Sequence, residues 1–567
     1  MEKKIQKPRN AFIDGLISRM TLDQKIGAVL TLAFTGMTPG QNVYDYITKY
    51  HCGGLRLTPV AKAGTTIQYV DPKTGITETR ASGHTMAPVC TATDYKATLD
   101  KLRKIAKARP LGLPLHFSFD QEGGVGNMYF ANSYPCPMGI RATNDPKMAY
   151  LVAKAVADQG RAIGVNWIHS PDVDINCDPR NPEIGIRSYS NKAEEVAQYS
   201  IEACKGFKEG GMIATAKHFP GRGASTVDAH YAVPTIDADR ETLYAREILP
   251  YKELIDQDLL PAVMIAHTIY PALDPDNVAT VSKPIITGIL REELGFEGVI
   301  TTDSMTMGGI AKRYGVAQAC AMALEAGVDL VLMKAQNHLV EDTIAAIRSF
   351  IEEGRITMEE MDKKIYRILN LKYEYGLFHD YAQDDVDPMA VINSSKLVEL
   401  SKDAAKRSMI LARNQDNMLP LKAEEKVLVI EQRNNFYNTP TIHSGILFES
   451  CLNYSSNVTY MEVGHIWSEE EKESIKASLS CYDKIVITSY YSRESLGNKD
   501  ALAELLEDTD AKVVVISSTP YEELSIPRSA KNVIVTFGGN IVQAETLAGI
   551  LYGKINAEGI WPVDDHA

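Results

Sequence analysis

The chain has few cysteines and no long apolar run. Its eight cysteines in 567 residues lie far apart, and none forms a Cys-x-x-Cys pair, which argues against a disulfide framework and a zinc site. No run of ~18 apolar residues occurs, so we expect no membrane span. No apolar stretch follows the basic beginning of the chain, so we expect no signal peptide. Scattered thiols are typical of a reducing compartment, and the sequence therefore predicts a cytoplasmic protein.

The chain also has fewer basic residues than acidic ones. Lysine and arginine number 59 against 73 aspartates and glutamates, which leaves a net charge of −14. A chain this acidic has no general attraction to nucleic acid or to anionic lipid, and we expect neither as a partner. The hydrophobic fraction of 45% and the charged fraction of 23% are typical of a globular protein and exclude a disordered, collagen-like or coiled-coil chain.

Eight short apolar runs divide the first two thirds of the chain, and helix-like segments lie between most of them. The runs do not alternate polar with apolar residues, which is typical of strands buried on both faces. They are Gly27–Phe34, Gly54–Leu57, Leu115–Phe119, Gly164–His169, Met212–Ala216, Ala262–Ala266, Gly298–Thr302 and Val328–Met333. The pattern predicts an α/β fold with a (β/α)8 TIM-like barrel. A doubly wound open sheet is the structural alternative.

A second α/β unit is expected after the barrel. The acidic stretch Asp380–Pro388 has little apolar content and is typical of a linker. A predicted helix over Ser395–Arg413 follows it, and then five apolar runs: Lys426–Ile430, Val458–Val463, Lys484–Thr488, Lys512–Ser517 and Asn532–Phe537. We therefore expect a barrel domain over residues 1–379, a linker over 380–394 and a layered α/β domain over 395–567.

One long insert, Thr58–Thr93, interrupts the barrel pattern. It is rich in threonine, glycine, proline and charge and has no clear periodicity. Loops of this length are often functional lids. This segment is therefore either a lid that shapes a substrate site or a loop without such a role.

Titratable side chains stand at the ends of five consecutive predicted strands. The active site of a barrel forms at the carboxyl ends of its strands. The ends of strands three to seven carry Asp120, Glu122, His169, Asp174, Lys217, His218, His267 and Asp303, and the loop after strand five adds Asp228 and His230. Each alone would be an ordinary cap or turn residue, but the whole set indicates an active site. It has neither His-x-x-x-His nor Cys/His ligand spacing, so we expect no metal and no cofactor.

Carboxylate and imidazole chemistry is what this set can perform. Asp303 directly follows a predicted strand, where a carboxylate can act as a nucleophile toward an anomeric carbon. One residue separates Asp228 from His230. An aspartate that binds one imidazole nitrogen fixes the tautomer and leaves the other nitrogen to exchange a proton. The alternative is that Asp228 caps a turn and His230 is a surface residue.

Around these residues the sequence resembles glycoside hydrolase family 3. Within that family it resembles the branch of β-N-acetylglucosaminidases that use an Asp–His dyad. The resemblance continues to Asn417–Leu421 and Leu551–Asn556 and covers nearly the whole chain. The segments that carry it in the first domain are Met20–Gly27, Asp120–Gly124, Asn181–Ser188, Lys217–Gly221, Asp228–His230, Val263–His267 and Gly298–Met305.

The resemblance implies a barrel followed by an α/β sandwich, and an exo-acting enzyme that retains the anomeric configuration. It implies Asp303 as the nucleophile and His230, held by Asp228, as the general acid/base. The side chains that would hold the sugar hydroxyls and the N-acetyl group are Asp120, Arg187, Lys217 and His218. The implied partner is a saccharide with a β-linked GlcNAc.

Three features depart from the usual pattern of the family. After Gly-Gly the family continues with Arg-Val and another Arg, whereas this chain has Val125–Met128, so a sugar-contacting arginine is missing near Met128. Arg222 stands where a histidine is often found, and the insert over residues 58–93 is unusual. The dyad and the nucleophile are intact.

Three other functions stay open at this point. A phosphorylase of the same branch would use phosphate as the second acceptor, and a neutral imidazole permits this because it does not repel phosphate as a carboxylate would. A β-glucosidase is a further alternative, although that branch usually takes its acid/base from the second domain. A degenerate sugar-binding protein would have lost Asp303 or His230, and both are present.

Overall fold

The structure is a computed structural model. The residues it describes are 9–59, 66–70, 77–81, 90–122, 125–126, 130–334, 338–379, 386–415, 418–432, 445–464, 466–491, 498–507, 509–510 and 512–564.

Eight parallel strands close into a barrel. They are β1 Leu30–Thr35, β2 Gly54–Thr58, β3 His116–Phe119, β4 Trp167–Ile168, β5 Ile213–Phe219, β6 Ala262–Ile265, β7 Val299–Thr302 and β8 Val331–Met333. Strands β1 to β7 pair in chain order and β8 pairs with β1, while a parallel bridge between Thr301 and Leu330 joins the last two strands. The predicted (β/α)8 barrel is confirmed, and the open doubly wound sheet is wrong for this part of the chain.

The barrel interior combines apolar side chains with a few paired polar ones. Every residue of β3, β6 and β7 is buried, as expected for strands covered on both faces. The His116 ring bonds Thr31 through Nε2 and Oγ1 at 2.8 Å and lies 4.7 Å from the ring of Trp167. Gly54 leaves the space for this ring, because a Cβ at that position would come within 2.1 Å of His116 Nε2.

Helices cover the outside of the barrel and continue into the second half of the chain. Several begin with a capping box. The threonine side chain before the helix accepts a hydrogen bond from the N–H of the third helical residue, and the side chain of that residue accepts one from the threonine N–H. Thr21, Thr91 and Thr357 form such boxes. The helices are α1 Ala11–Ile17, α2 Leu22–Ala28, α3 Gln41–Thr48, α4 Ala92–Lys107, α5 Pro137–Ala142, α6 Pro146–Ile163, α7 Ala193–Glu209, α8 Arg240–Ala245, α9 Leu249–Asp256, α10 Gly308–Tyr314, α11 Val316–Ala326, α12 His338–Glu352, α13 Met358–Glu374, α14 Pro388–Ile392, α15 Ser395–Ser408, α16 Ile446–Leu452, α17 Glu469–Ser478, α18 Lys499–Glu507 and α19 Ile541–Leu551, with a π-helical segment over Pro284–Glu293.

A second sheet of six strands follows. Its strands are β9 Ile410–Asn414, β10 Val427–Gln432, β11 Val458–Val463, β12 Lys484–Ser489, β13 Val513–Ser517 and β14 Asn532–Val535, in the order β9-β14-β13-β12-β10-β11. The five predicted strands are confirmed. The predicted helix Ser395–Arg413 is too long: it ends at Ser408, because the residues after it pair antiparallel with β14 as an edge strand.

The barrel and the second sheet pack against each other. Met138 and Ala142 of α5, which belongs to the barrel half, lie in the same buried apolar cluster as side chains of the second sheet. Across the same boundary, Asn176 Nδ2 donates to the hydroxyl of Tyr521 at 2.9 Å. The second sheet is therefore anchored beside the carboxyl ends of the barrel strands, since Asn176 follows β4.

The division into 1–379, 380–394 and 395–567 stays a prediction. Residues 380–385 lie outside the described residues, and Pro388–Ile392 form α14 within the predicted linker. None of the helices in the described ranges combines the length and hydropathy needed to cross a bilayer.

The insert over residues 58–93 is described in part. Thr66–Val70 and Thr77–Ala81 form a two-stranded antiparallel ribbon. The remainder between residues 60 and 89 lies outside the described residues, and the lid role of this insert stays a prediction.

Candidate active site

The seven residues predicted for the site meet at the carboxyl end of the barrel. A continuous chain of ion pairs and hydrogen bonds links all of them. They are Asp120 after β3, Arg187 in the turn Gly185–Arg187 after β4, Lys217 and His218 at the end of β5, Asp228 and His230 on the loop between β5 and α8, and Asp303 after β7.

Asp120 is surrounded by cations. Its Oδ1 lies 3.2 Å from Lys217 Nζ and 3.5 Å from His169 Nδ1, and its Oδ2 accepts a hydrogen bond from Arg56. Burial opposes ionisation of this carboxyl, but Arg56, Lys217 and His169 outweigh it and hold its pKa well below the usual range. Asp120 is therefore an anionic hydrogen-bond acceptor at the mouth of the barrel.

Glu122 joins Lys217 to Arg187. Arg187 binds both oxygens of Glu122, with Nε at 2.8 Å from Oε2 and Nη2 at 3.2 Å from Oε1, and Lys217 Nζ pairs with Oε1. Arg187 Nη2 also lies 3.1 Å from Asp172. Despite this guanidinium, burial and the neighbouring Asp174 raise the pKa of Asp172 well above its usual value. Ion pairs with carboxylates thus hold Lys217 and Arg187 in place.

The two carboxylate oxygens of Asp303 have different neighbours. Its Oδ1 accepts from the N–H of Ser304 at 2.7 Å, while its Oδ2 lies 3.6 Å from Arg222 Nη2 and 3.7 Å from His218 Nε2. Burial works against the charged form, but the Arg222 guanidinium and the nearby imidazoles lower the pKa of Asp303. An ionised carboxylate whose side chain is 16% exposed can act as a nucleophile.

His218 is held as one neutral tautomer. Its Nδ1 lies 2.6 Å from Asp174 Oδ2, and Arg222 Nη2 lies 2.7 Å from its Nε2. A guanidinium can only donate, so Nε2 is the acceptor and the proton sits on Nδ1. Burial, and after it Arg222, lowers the pKa of His218 well below its usual value, in agreement with this assignment.

The Asp228–His230 dyad is formed. Asp228 Oδ1 lies 2.8 Å from His230 Nδ1 and also accepts from the backbone N–H of His230 at 2.8 Å. Asp228 therefore does close a turn, but His230 is only 9% exposed, so the alternative that it is a surface residue is wrong. Because Nδ1 is engaged by a carboxylate, Nε2 is the nitrogen left for proton transfer.

The dyad loop is clamped to the start of α10. Gly308 N–H donates to the His230 carbonyl at 3.0 Å and Gly309 N–H to the Ala229 carbonyl at 3.2 Å. A Cβ at Gly308 would lie 2.6 Å from the His230 carbonyl oxygen. The close approach of the two backbones requires glycine here, and it fixes the height of the dyad above the barrel.

Sequence reasoning missed the pair that joins Asp303 to the Asp228–His230 dyad. Arg222 Nη2 lies 2.8 Å from Glu183 Oε1, and the same oxygen lies 3.2 Å from His230 Nδ1. Glu183 lies within Asn181–Ser188, a segment that carries the family resemblance, and Arg222, which directly follows Lys217–Gly221, is visible in the sequence as a departure from the usual histidine. The partnership itself spans 39 positions of chain and has no local signal.

Two groups of side chains in the described part of the chain bring three metal-ligand atoms within 4.8 Å of one another: Asp172, Asp174 and His218, and Glu183, Asp228 and His230. In both groups a carboxylate is paired with a protein guanidinium, Arg187 in the first and Arg222 in the second. We assign no metal to either, and interpret both as charge networks of the site.

Comparison with known proteins finds that this chain is similar to glycosidases. Residues 21–371 match the Glycosyl hydrolase family 3 N terminal domain. A β-hexosaminidase A from Pseudoalteromonas piscicida is 32% identical over 301 residues, which cover 48% of this chain and 49% of that protein, so the match spans about half of this relative.

Two further matches extend over most of the chain. A β-N-acetylglucosaminidase/β-glucosidase from Cellulomonas fimi is 27% identical over 512 residues, covering 85% of this chain and 88% of that protein. The solved structure of a glycoside hydrolase family 3 β-N-acetylglucosaminidase from Paenibacillus sp. str. FPU-7 has a TM-score of 0.84 at 28% identity and covers 96% of this chain and 99% of that chain. The similarity therefore includes the second sheet as well as the barrel.

Proposed function

The chain belongs to glycosyl hydrolase family 3, and we propose that it is a retaining, exo-acting β-N-acetylglucosaminidase. The observation that carries the proposal is the Asp228–His230 pair, 2.8 Å apart, on a loop beside the ionised Asp303. The names of the relatives from Pseudoalteromonas, Cellulomonas and Paenibacillus support the choice of sugar.

The first step transfers the sugar to the protein. A carboxylate oxygen of Asp303 attacks the anomeric carbon, and the bond from that carbon to the glycosidic oxygen breaks. The imidazolium of His230 gives its Nε2 proton to the departing oxygen, and Asp228 stabilises the charged ring before the transfer. The products are a glycosyl ester on Asp303, a neutral imidazole and a free alcohol.

The second step reverses the roles. Neutral His230 takes a proton from a water molecule at Nε2 while the water oxygen attacks the anomeric carbon and the ester bond to Asp303 breaks. Two displacements at the same carbon return the β configuration. Free GlcNAc leaves and the imidazolium is restored for the next cycle.

Four side chains are proposed to hold the sugar. Asp120 accepts hydrogen bonds from hydroxyl groups and Lys217 donates to them, while the neutral His218 ring lies beside the nucleophile with its Nε2 bound by Arg222. Arg187 is the fourth, and its bidentate pair with Glu122 orients it and the neighbouring lysine. Charged donors and acceptors fixed in this way give strong and directional bonds to a polar substrate.

The test compares p-nitrophenyl β-GlcNAc with p-nitrophenyl β-glucoside, each with and without inorganic phosphate. We expect a higher kcat/KM for the GlcNAc glycoside, free GlcNAc as the product, and no dependence of the rate on phosphate. Equal or faster cleavage of the glucoside would show that the departure at Val125–Met128 has changed the sugar. Release of GlcNAc 1-phosphate would identify a phosphorylase.

We also propose that the protein is cytoplasmic. None of the eight cysteines forms a disulfide in the structure, and thiols that are spaced without a disulfide framework are typical of a reducing compartment. Cell fractionation followed by immunoblotting tests this location.

A further inference from the structure

Arg222 and Glu183 form a bridge between the two catalytic groups. They are only 2% and 5% exposed, and Arg222 Nη2 lies 2.8 Å from Glu183 Oε1. The cation end of this pair is 3.6 Å from Asp303 Oδ2, and the anion end is 3.2 Å from His230 Nδ1. The pair thus directs its positive charge to the nucleophile and its negative charge to the acid/base.

We propose that Arg222 and Glu183 are positioning residues that widen the pH range in which Asp303 is ionised while His230 is protonated. The proposal rests on the proposed function, because only a two-step mechanism with this nucleophile and this acid needs both states at once. Each member acts through a neighbour and touches no reacting atom of the substrate.

On the nucleophile side, Arg222 is the nearest cation to the outward oxygen of Asp303. The same nitrogen donates to His218 Nε2 at 2.7 Å and so keeps that imidazole from acting as a proton donor to Asp303. An opposite charge within ~4–6 Å favours the ionised form of a carboxyl. The charged groups around Asp303 are Arg222 after β5, His218 at the end of β5, His267 after β6, His230 on the dyad loop and Glu183 after β4.

On the acid/base side, two carboxylates face a single ring nitrogen. Asp228 Oδ1 lies 2.8 Å from His230 Nδ1 and Glu183 Oε1 lies 3.2 Å from it. Two nearby anions favour the imidazolium more than one does. The other charged groups near this ring are Asp303 after β7, Arg222 after β5 and, from α10, Lys312, which donates to the carbonyl of the next residue at 3.3 Å.

The consequence is a separation of two titrations. The kcat/KM of a free enzyme that needs one ionised carboxylate and one protonated imidazole rises with pH as the carboxylate ionises and falls as the imidazole loses its proton. Arg222 moves the rising limb to lower pH and Glu183 moves the falling limb to higher pH. The pair therefore broadens the plateau between the two limbs.

The experiment measures kcat/KM for a GlcNAc disaccharide, whose leaving group needs the proton of His230, from about pH 4 to about pH 9 in the wild-type protein and in Glu183→Gln. Glutamine keeps the shape and an acceptor oxygen but removes the charge. We expect the falling limb to move to lower pH by about one unit or more, with the rising limb less affected. Glu325→Gln is the matched control. Glu325 lies on α11 and forms an exposed ion pair with Arg355, so this variant also removes the anion of an Arg–Glu pair. Its pH profile should equal that of the wild type.

Two variants of Arg222 test the other end of the bridge, and their results do not depend on whether Glu183→Gln folds. In Arg222→Gln the rising limb should move to higher pH by about one unit, and Arg222→Lys, which keeps the charge, should restore most of that shift. The pH dependence of inactivation by a fluorinated slow substrate gives the same limb without the proton-transfer step.

The outcomes separate the two proposals. A wild-type protein that cleaves no β-GlcNAc glycoside would overturn the proposed function and this inference with it. Active, folded Glu183→Gln and Arg222→Gln proteins with both limbs at the wild-type positions would overturn this inference alone.

Discussion

We propose that His230 gives one proton at Nε2 in the first step and takes another there in the second, and that Asp228 supports both steps by holding Nδ1. The reference pKa of imidazole, ~6.5, lies near neutral pH, so one ring can serve as the acid in the first step and as the base in the second. A carboxylate at 2.8 Å stabilises the imidazolium without taking its proton.

Replacing His230 with alanine should therefore slow poor leaving groups most. A GlcNAc disaccharide needs protonation of the leaving oxygen, whereas a nitrophenolate leaves with little help. We expect a loss of roughly 10²–10⁴-fold on the disaccharide and a smaller loss on p-nitrophenyl β-GlcNAc, measured as kcat/KM.

Asp228→Asn is the companion variant and should give a smaller loss of the same kind, because the imidazole remains. If His230→Ala slows both substrates equally, or hardly at all, the dyad is structural. The proton would then come from another group, with the insert over residues 58–93 and the second domain as the regions to examine.

The sequence predicts that the residues proposed for the chemistry lie together, but it does not predict their partners. Asp303, Asp120 and Lys217 stand at strand ends, and the barrel fold brings strand ends together, so strand counting and chemistry suffice to group them. Glu183 and Arg222 pair across two loops, and nothing in the spacing of two charged residues tells which of the many opposite charges each will meet.

At the scale of elements, the loop that carries the dyad depends on the first turn of α10. Gly308 and Gly309 donate backbone N–H groups to the carbonyls of His230 and Ala229. The first turn of a helix has N–H groups without partners inside the helix, and here two of them hold the loop. His230 is thus positioned by backbone hydrogen bonds and not only by side chains.

Gly308→Ala should lower kcat and should also destabilise the protein. Alanine favours a helix by up to ~1 kcal/mol over glycine, but its Cβ would lie 2.6 Å from the His230 carbonyl oxygen and must displace the dyad. We expect a loss of at least ~10-fold in kcat, since small misplacements of catalytic groups are costly, together with a lower Tm, because backbone must move to admit the Cβ.

Gly15→Ala in α1 is the control for this variant. A Cβ there meets no atom within 4 Å, so only the helix preference acts, and kcat should stay at the wild-type value. Wild-type activity in Gly308→Ala would show that the clamp does not set the position of the dyad.

Element boundaries show where sequence patterns stop being sufficient. The sequence predicts a single helix over residues 395–413 because the local preferences of these residues are compatible with a helix. In the structure α15 ends and β9 begins within this range. The actual strand forms because Ile410 pairs with Val535 and Asn414 with Asn532, partners more than a hundred positions away. Long-range pairing of this kind overrides local preference.

At the scale of the whole molecule, the two sheets share buried surface. Met138 and Ala142 of α5 complete an apolar cluster of the second sheet, and α15 packs Leu397 and Ala404 into the barrel cluster. The barrel strands were predictable because burial on both faces leaves continuous apolar runs. The docking of the two sheets was not, because it depends on surfaces that form only after each has folded.

Shared clusters predict that the two halves unfold together. Differential scanning calorimetry should show one cooperative transition, with the calorimetric enthalpy equal to the van't Hoff enthalpy. Two separated transitions would show that the contacts through α5 and α15 contribute little to stability.

We propose above all that Asp303 forms the covalent bond to the sugar, and trapping of that bond tests this role most directly. Incubation with a fluorinated slow substrate, followed by peptide mass analysis, should add one sugar to the peptide that contains Asp303, and Asp303→Asn should take up no label. A label on Asp120, on Glu183 or on any other carboxylate would contradict the account.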